Sequence, residues 1–306
     1  MRNNGKRRYS LFITISIFVI LLSTITIIFI ILDGKSEIGK REQIDYGIVK
    51  KINPLVIEKA NIEENKMSSN IELVEEIKRV YGIDVVYGDG TEYITKTINA
   101  KTIYEPKEIN LMLIELINCL ELYPNNILKE IQIRDYNVEI CLVNYFLNNN
   151  IALATRDSNN NFKIYLSNTE KIEKVKHSVH HEMYHILEYY MKLEFDITQL
   201  YNDWEKVNPQ HFSYISNLAL LDSKYVYGYE QGEGAYFVTI YSKSSDKEDR
   251  AEVFADTMTA VSEPLYYTDK LGAIKDKMQL LINVLRDSFQ SVKYGANITW
   301  EKYLLE

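Results

Sequence analysis

Apolar residues change their rhythm several times along this chain, and each change marks an element. Residues 10–32 carry no charge and are dominated by Ile, Leu, Phe and Val. At about 1.5 Å per residue such a run spans roughly 34 Å, enough to cross the hydrocarbon core of a bilayer. Residues 33–69 are mostly polar and aperiodic, as expected of a stalk. Helical spacing begins with Ile71, Val74, Ile77 and Val80, and Gly82–Tyr87 then reads as a strand. An amphipathic helix is predicted over 106–121, through Ile109, Leu113, Ile117 and Leu120, and Pro124 is placed to open a short one ending near Glu130. Strands are predicted at 137–143, 149–154 and 162–167, the last two parted by a turn at Asp157–Asn161. Val175, Val179, Met183, Ile186 and Leu187 set a helix from about 170 to 192, with Thr169 as its cap. Residues 193–250 show no steady period. Helices return from near Asp249 to 261 and over 269–290. The pattern implies an α+β domain over 70–306, with a small mixed sheet and a helical C-terminal part.

The ends and the charge narrow the setting. Arg2, Lys6, Arg7 and Arg8 precede the apolar run without any acid, which orients residues 1–9 to the cytoplasm. A cleavable signal would have an apolar stretch of about 7–15 residues and small residues at the cut. Residues 10–32 offer neither, so they are read as a retained anchor in the lipid bilayer, with the stalk and domain extracellular. The chain has formal charge −8; its first 32 residues contribute four basic groups, which leaves −12 outside the anchor. Such a balance disfavours nucleic acid as a partner. Cys119 and Cys141 sit in apolar segments and are expected to be buried free thiols, although this compartment would permit a disulfide.

Chemistry concentrates at His181-Glu182-Met183-Tyr184-His185. This is the HExxH pattern: residues four apart share a helix face, so both imidazoles reach one ion, and the intervening Glu accepts a proton from water beside it. With 5 histidines in 306 residues, the accidental occurrence of such a string is on the order of 0.01 per chain. Two histidines do not complete a zinc site; three protein ligands and an open position are the rule. The candidate third ligand lies in Ala251-Glu252-Val253-Phe254-Ala255-Asp256. There Glu252 would bind the ion, and Asp256, one turn on, would accept the other ring N–H of a ligand histidine. Glu248 is a rival, since Glu248 and Glu252 are also one turn apart.

His177 forms a second i, i+4 pair with His181 but lacks a following Glu. His180 projects about 100° away from His181. Both are expected on the helix surface or just outside the ligand set, and His211 in a loop. Gly228, Gly232 and Gly234, interleaved with Tyr225, Tyr227, Tyr229 and Tyr236, suggest either a flap over the cleft or a plain surface loop.

HExxH followed by Glu-x-x-x-Asp resembles the gluzincin metallopeptidases. The closer pattern, Ala-Glu-x-Phe-Ala-Asp, is similar to the catalytic domain of anthrax lethal factor and its relatives, including the secreted Pro-Pro endopeptidases. That resemblance rests on two short motifs within 70–306. It implies a zincin-like fold, one Zn²⁺ held by His181, His185 and Glu252, and Glu182 as general base. It also implies an oxyanion-facing tyrosine upstream of the third ligand. Tyr241 is the nearest fit, with Tyr236 in reserve; Tyr241 lies 11 residues before Glu252, a longer gap than is usual in the family. The expected function is a membrane-anchored extracellular zinc endopeptidase acting on protein or peptide substrates. The alternative is an inactive surface binding module on the same scaffold.

Overall fold

In the computed structural model the described residues are 69–124, 126–148, 150–157, 161–168, 172–215, 236–262, 272–293, 298 and 300–301. The predicted anchor at 10–32, most of the stalk and the glycine-rich stretch 228–234 lie outside them. Among the described residues no helix is long and apolar enough to cross a membrane. The described residues belong to one compact unit.

Helix α1 (Asn70–Tyr81) starts where the chemistry demands it. Ser69 Oγ accepts from the Glu72 N–H at 3.2 Å, and the Glu72 carboxylate accepts from the Ser69 N–H at 2.8 Å. The helix stops at Gly82, whose φ of 74° suits a residue without a side chain, and a Cβ there would strike the Gln132 amide. After β1 (Asp84–Val86) come helix α2 (Glu92–Thr97) and strand β2 (Ala100–Thr102), both too short to show a period in the sequence. Helix α3 (Pro106–Leu120) has Pro106 at its first turn, as its fixed φ favours. Helix α4 (Ile127–Gln132) begins three residues after Pro124, so that proline does not open it.

Strands β3 (Val138–Phe146), β4 (Ala152–Arg156) and β5 (Phe162–Ser167) complete a five-stranded mixed sheet. β3 is central. It runs parallel to β1 on one side and to β5 on the other, and β2 pairs antiparallel with its C-terminal half. β4 pairs antiparallel with β5 and forms an edge. The predicted turn between them closes through the Asp157 N–H donating to the Asn161 carbonyl at 3.0 Å.

The sheet hands the chain to α5 (Ile172–Glu194), the helix that carries the histidines. Its cap, expected at Thr169, lies outside the described residues. Val175, Val179, Met183, Ile186 and Leu187 are buried, as their spacing requires. Helix α6 (Thr198–Val207) escapes the sequence reading because only Leu200 and Trp204 of its ten residues are buried, too few to show a stripe. Helix α7 (Asp246–Ser262) begins three residues before the expected Asp249, and α8 (Ala273–Ser288) and α9 (Gln290–Lys293) follow. Cys119 and Cys141 are buried free thiols.

Two ionic clusters, the first buried throughout, hold α7 in place. Asp249 accepts from Trp204 Nε1 at 2.9 Å, from the Tyr214 hydroxyl at 2.9 Å and from Lys277 Nζ at 2.6 Å. Lys277 is fully buried and donates also to the Tyr236 carbonyl. Arg250 donates to Glu188 on α5 at 2.6 Å and to Asp246 at 2.9 Å. The first cluster ties α7 to α6 and α8, and the second ties α7 to α5. Removing one member of the Lys277–Asp249 pair strands a charge away from water. Lys277→Met is therefore expected to lower stability by about 3–5 kcal/mol, seen as an earlier urea-unfolding midpoint by circular dichroism. Lys277→Met combined with Asp249→Leu should recover part of that loss. Unchanged stability of the single variant would show that the pair contributes nothing.

Candidate metal centre

The geometry of α5 brings His181 and His185 to one face, with their Nε2 atoms 3.1 Å apart. Helix α7 packs against that face. Ser245 precedes its first turn, and the Glu248 N–H donates to Ser245 Oγ at 3.2 Å. Ser-x-x-Glu is also the spacing of a capping box, in which the glutamate turns back to the helix start. Here the Glu248 carboxylate faces the histidines instead. Its Oε2 lies 3.0 Å from His181 Nε2 and 3.3 Å from His185 Nε2. Two imidazole nitrogens and one carboxylate oxygen thus converge, making His181, His185 and Glu248 a candidate metal-binding triad.

Glu252, expected as the third ligand, faces the other nitrogen of the His181 ring. Glu252 Oε1 sits 2.8 Å from His181 Nδ1, the ring nitrogen on the far side from the convergence point. Its other oxygen accepts from Thr239 Oγ1 at 2.6 Å, and the residue is buried. The reason lies in the start of α7. Because the helix begins at Asp246, Glu248 is a helical residue one turn ahead of Glu252, and the two carboxylates grip opposite nitrogens of the same ring. The position expected for Asp256, on a ligand's second ring nitrogen, is therefore held at His181 by Glu252. Asp256 lies a further turn along, half-buried. His185 Nδ1 is buried without a hydrogen-bond partner among the described residues.

Metal-ligand chemistry supplies a fit test. A tetrahedral zinc with bonds of about 2.0–2.2 Å separates its ligand atoms by roughly 3.3–3.5 Å. The three observed separations of 3.0, 3.1 and 3.3 Å approach that value, so the residues present suit such an ion. Nitrogen, nitrogen and carboxylate oxygen are also a donor set zinc accepts readily.

Charge at the site follows the same contacts. Burial alone would lower the His181 pKa, but the hydrogen bonds to Glu248 and Glu252 outweigh it and raise it to about 10. Burial lowers His185 to about 4. Burial would raise Glu248, yet the bonds to both histidines hold it well below the usual carboxylate range. A ligand histidine binds a metal in its neutral form, so metal binding at His181 would compete with its proton. Glu182 is buried beside the triad, and burial raises its pKa to about 7 although His181, the Ala154 backbone and Lys247 oppose the shift.

The remaining candidates fall into place unevenly. Tyr241 begins a 3₁₀ turn just before α7, and its ring centroid lies 5.9 Å from that of His181. It precedes Glu248 by seven residues. Tyr236 is exposed, and its carbonyl is bound by Lys277. His177 stands beside Glu252, with Nε2 3.9 Å from Oε2, outside the triad. The expectation of a surface or site-flanking position fails for His180. It is a core histidine, 1% exposed, with Nδ1 2.9 Å from the Tyr123 hydroxyl, and burial lowers its pKa to about 3. His211 is in a loop at φ 67°. Asp249, Arg250 and Lys277 were not recognisable as site supports, because charges in a helix otherwise read as solvated. No family model matches the chain, and no curated protein or solved structure is significantly similar to it.

Proposed function

We propose that this chain is a zinc-dependent endopeptidase whose third protein ligand is Glu248. The observation that carries the reading is the approach of His181 Nε2, His185 Nε2 and Glu248 Oε2 to within 3.3 Å of one another, with a buried carboxyl of raised pKa next to them. When bound, zinc supplies a Lewis acid for a peptide carbonyl and acidifies water from about 15.7 towards 7. Glu182 takes the proton of the attacking water and returns it to the departing amine. Glu252 fixes the ring of His181 by accepting from Nδ1, and Thr239 in turn fixes Glu252. Tyr241 donates its hydroxyl proton towards the developing oxyanion. Arg250 and Asp249 hold α7 at the depth that this arrangement needs. The anchor at 10–32 would confine the substrates to surface or diffusing extracellular proteins.

The test is metal analysis together with a peptidase assay on the full chain purified in detergent. One zinc per chain is expected, with cleavage of an unstructured protein lost on adding a chelator and restored by zinc. Stoichiometric zinc with no cleavage of any peptide would reject the enzyme and leave the surface binding module. Failure to retain zinc at all would reject the metal site.

A further inference from the structure

A second feature opens directly off the triad. A cavity of about 350 Å³ has His185 in its wall and continues away from it between the edge strand β4, the second half of α5 and the first turns of α7. Its charge is unlike that of the rest of the molecule. Arg156, Lys192, Lys247 and Arg250 line it, against Glu188 and Asp246, so it carries two excess positive charges in a chain whose net charge is −8. Both acids are held by one base: Arg250 binds Glu188 at 2.6 Å and Asp246 at 2.9 Å. Lys192 and Lys247 are exposed and make no ion pair among the described residues. The Arg156 guanidinium lies over the Tyr189 ring, 4.3 Å from its centroid. Stacking of this kind restrains the guanidinium plane.

We propose that this cavity receives the substrate side chain flanking the scissile bond and selects an acidic one, glutamate or aspartate. The proposal rests on the peptidase reading. The cavity is continuous with the candidate ligand His185, so a peptide whose carbonyl lies at the triad places a neighbouring side chain in it. Tyr189, Phe162 and Tyr201 also line the cavity, and their rings suit the methylene stem of an acid. The basic groups stand on strand and helix positions that face the cavity, where a carboxylate meets several of them together. A basic side chain would face the same charges and be repelled, which is how a site discriminates by exclusion as well as attraction.

The experiment is cleavage-site profiling of the zinc-loaded full chain on a peptide library randomised on both sides of the bond. The Arg156→Glu/Lys192→Glu double variant is profiled in parallel, after confirming unchanged zinc content. Partly exposed ion pairs are worth up to about fivefold each, so two or three imply a preference of roughly tenfold or more for Glu or Asp over Lys. The double variant should lose or invert that preference, and added salt should weaken it in the wild type. Hydrolysis with apolar or basic flanking residues as good as acidic ones would overturn the proposal and leave the peptidase standing. So would an acidic preference that the double variant does not change. If the zinc-loaded chain cuts no member of the library, the peptidase reading falls and this inference falls with it.

Discussion

Glu182→Gln is expected to lower kcat for peptide hydrolysis by about 10²–10⁴-fold, the usual contribution of a positioned general base, while zinc content and KM change little. Gln keeps the shape and one acceptor oxygen of Glu but cannot take a proton. The residue is buried, and that burial pushes its pKa up. The substitution does not touch the three converging donors. Steady-state kinetics and metal analysis on the same preparation check both halves of the expectation. A variant that turns over like the wild type removes Glu182 from the reaction. One that loses its zinc makes it a structural residue.

The second large effect separates the two glutamates of α7. Glu248→Ala is expected to abolish stoichiometric zinc and with it all hydrolysis, because it removes one of three donors. Glu252→Gln should instead keep the metal with affinity reduced about 10–100-fold, as is typical when a partner of a ligand histidine is lost. Its Oε1 meets His181 Nδ1 at 2.8 Å, and a glutamine can still present an oxygen there. Competition with a chelator of known affinity reads the difference. If Glu252→Gln empties the site and Glu248→Ala leaves it full, the roles are the reverse of those assigned here.

The two glutamates also show where sequence legibility ends. Both lie one turn apart on a helical face, and spacing alone makes either a candidate for the same ion. Glu252 carries the better motif, Ala-Glu-x-Phe-Ala-Asp, and so attracts the ligand role. The choice depends on where α7 starts and how deeply it docks, and those follow from buried contacts made by Asp249 and Arg250. These contacts join residues 28 and 62 positions apart along the chain, and no local pattern records them. His180 makes a similar point in reverse. Its position around α5 is correctly read as pointing away from His181, but its burial against Tyr123 depends on α3 and the segment that follows it.

Elements with a long apolar period were legible: α1, α3, α5 and α8 lie within a few residues of their predicted bounds, and so do β3 and β5. Those that are short or mostly polar were not. Helix α6 buries only Leu200 and Trp204, and β2 is three residues long. Their conformation is selected by neighbours rather than by their own periodicity.

By itself the sequence determined the α+β character and the pairing of His181 with His185 on one helix, because a helix repeats every 3.6 residues wherever it forms. It determined, too, the presence of a carboxyl between them. Only the tertiary structure decided that Glu248 faces Nε2 and Glu252 Nδ1 of the same ring. It alone gathered Arg156, Lys192 and Lys247 around one cavity. Both results depend on how α5, α7 and an edge strand approach one another, and that approach is settled by the summed burial and ion pairing of residues distant in sequence.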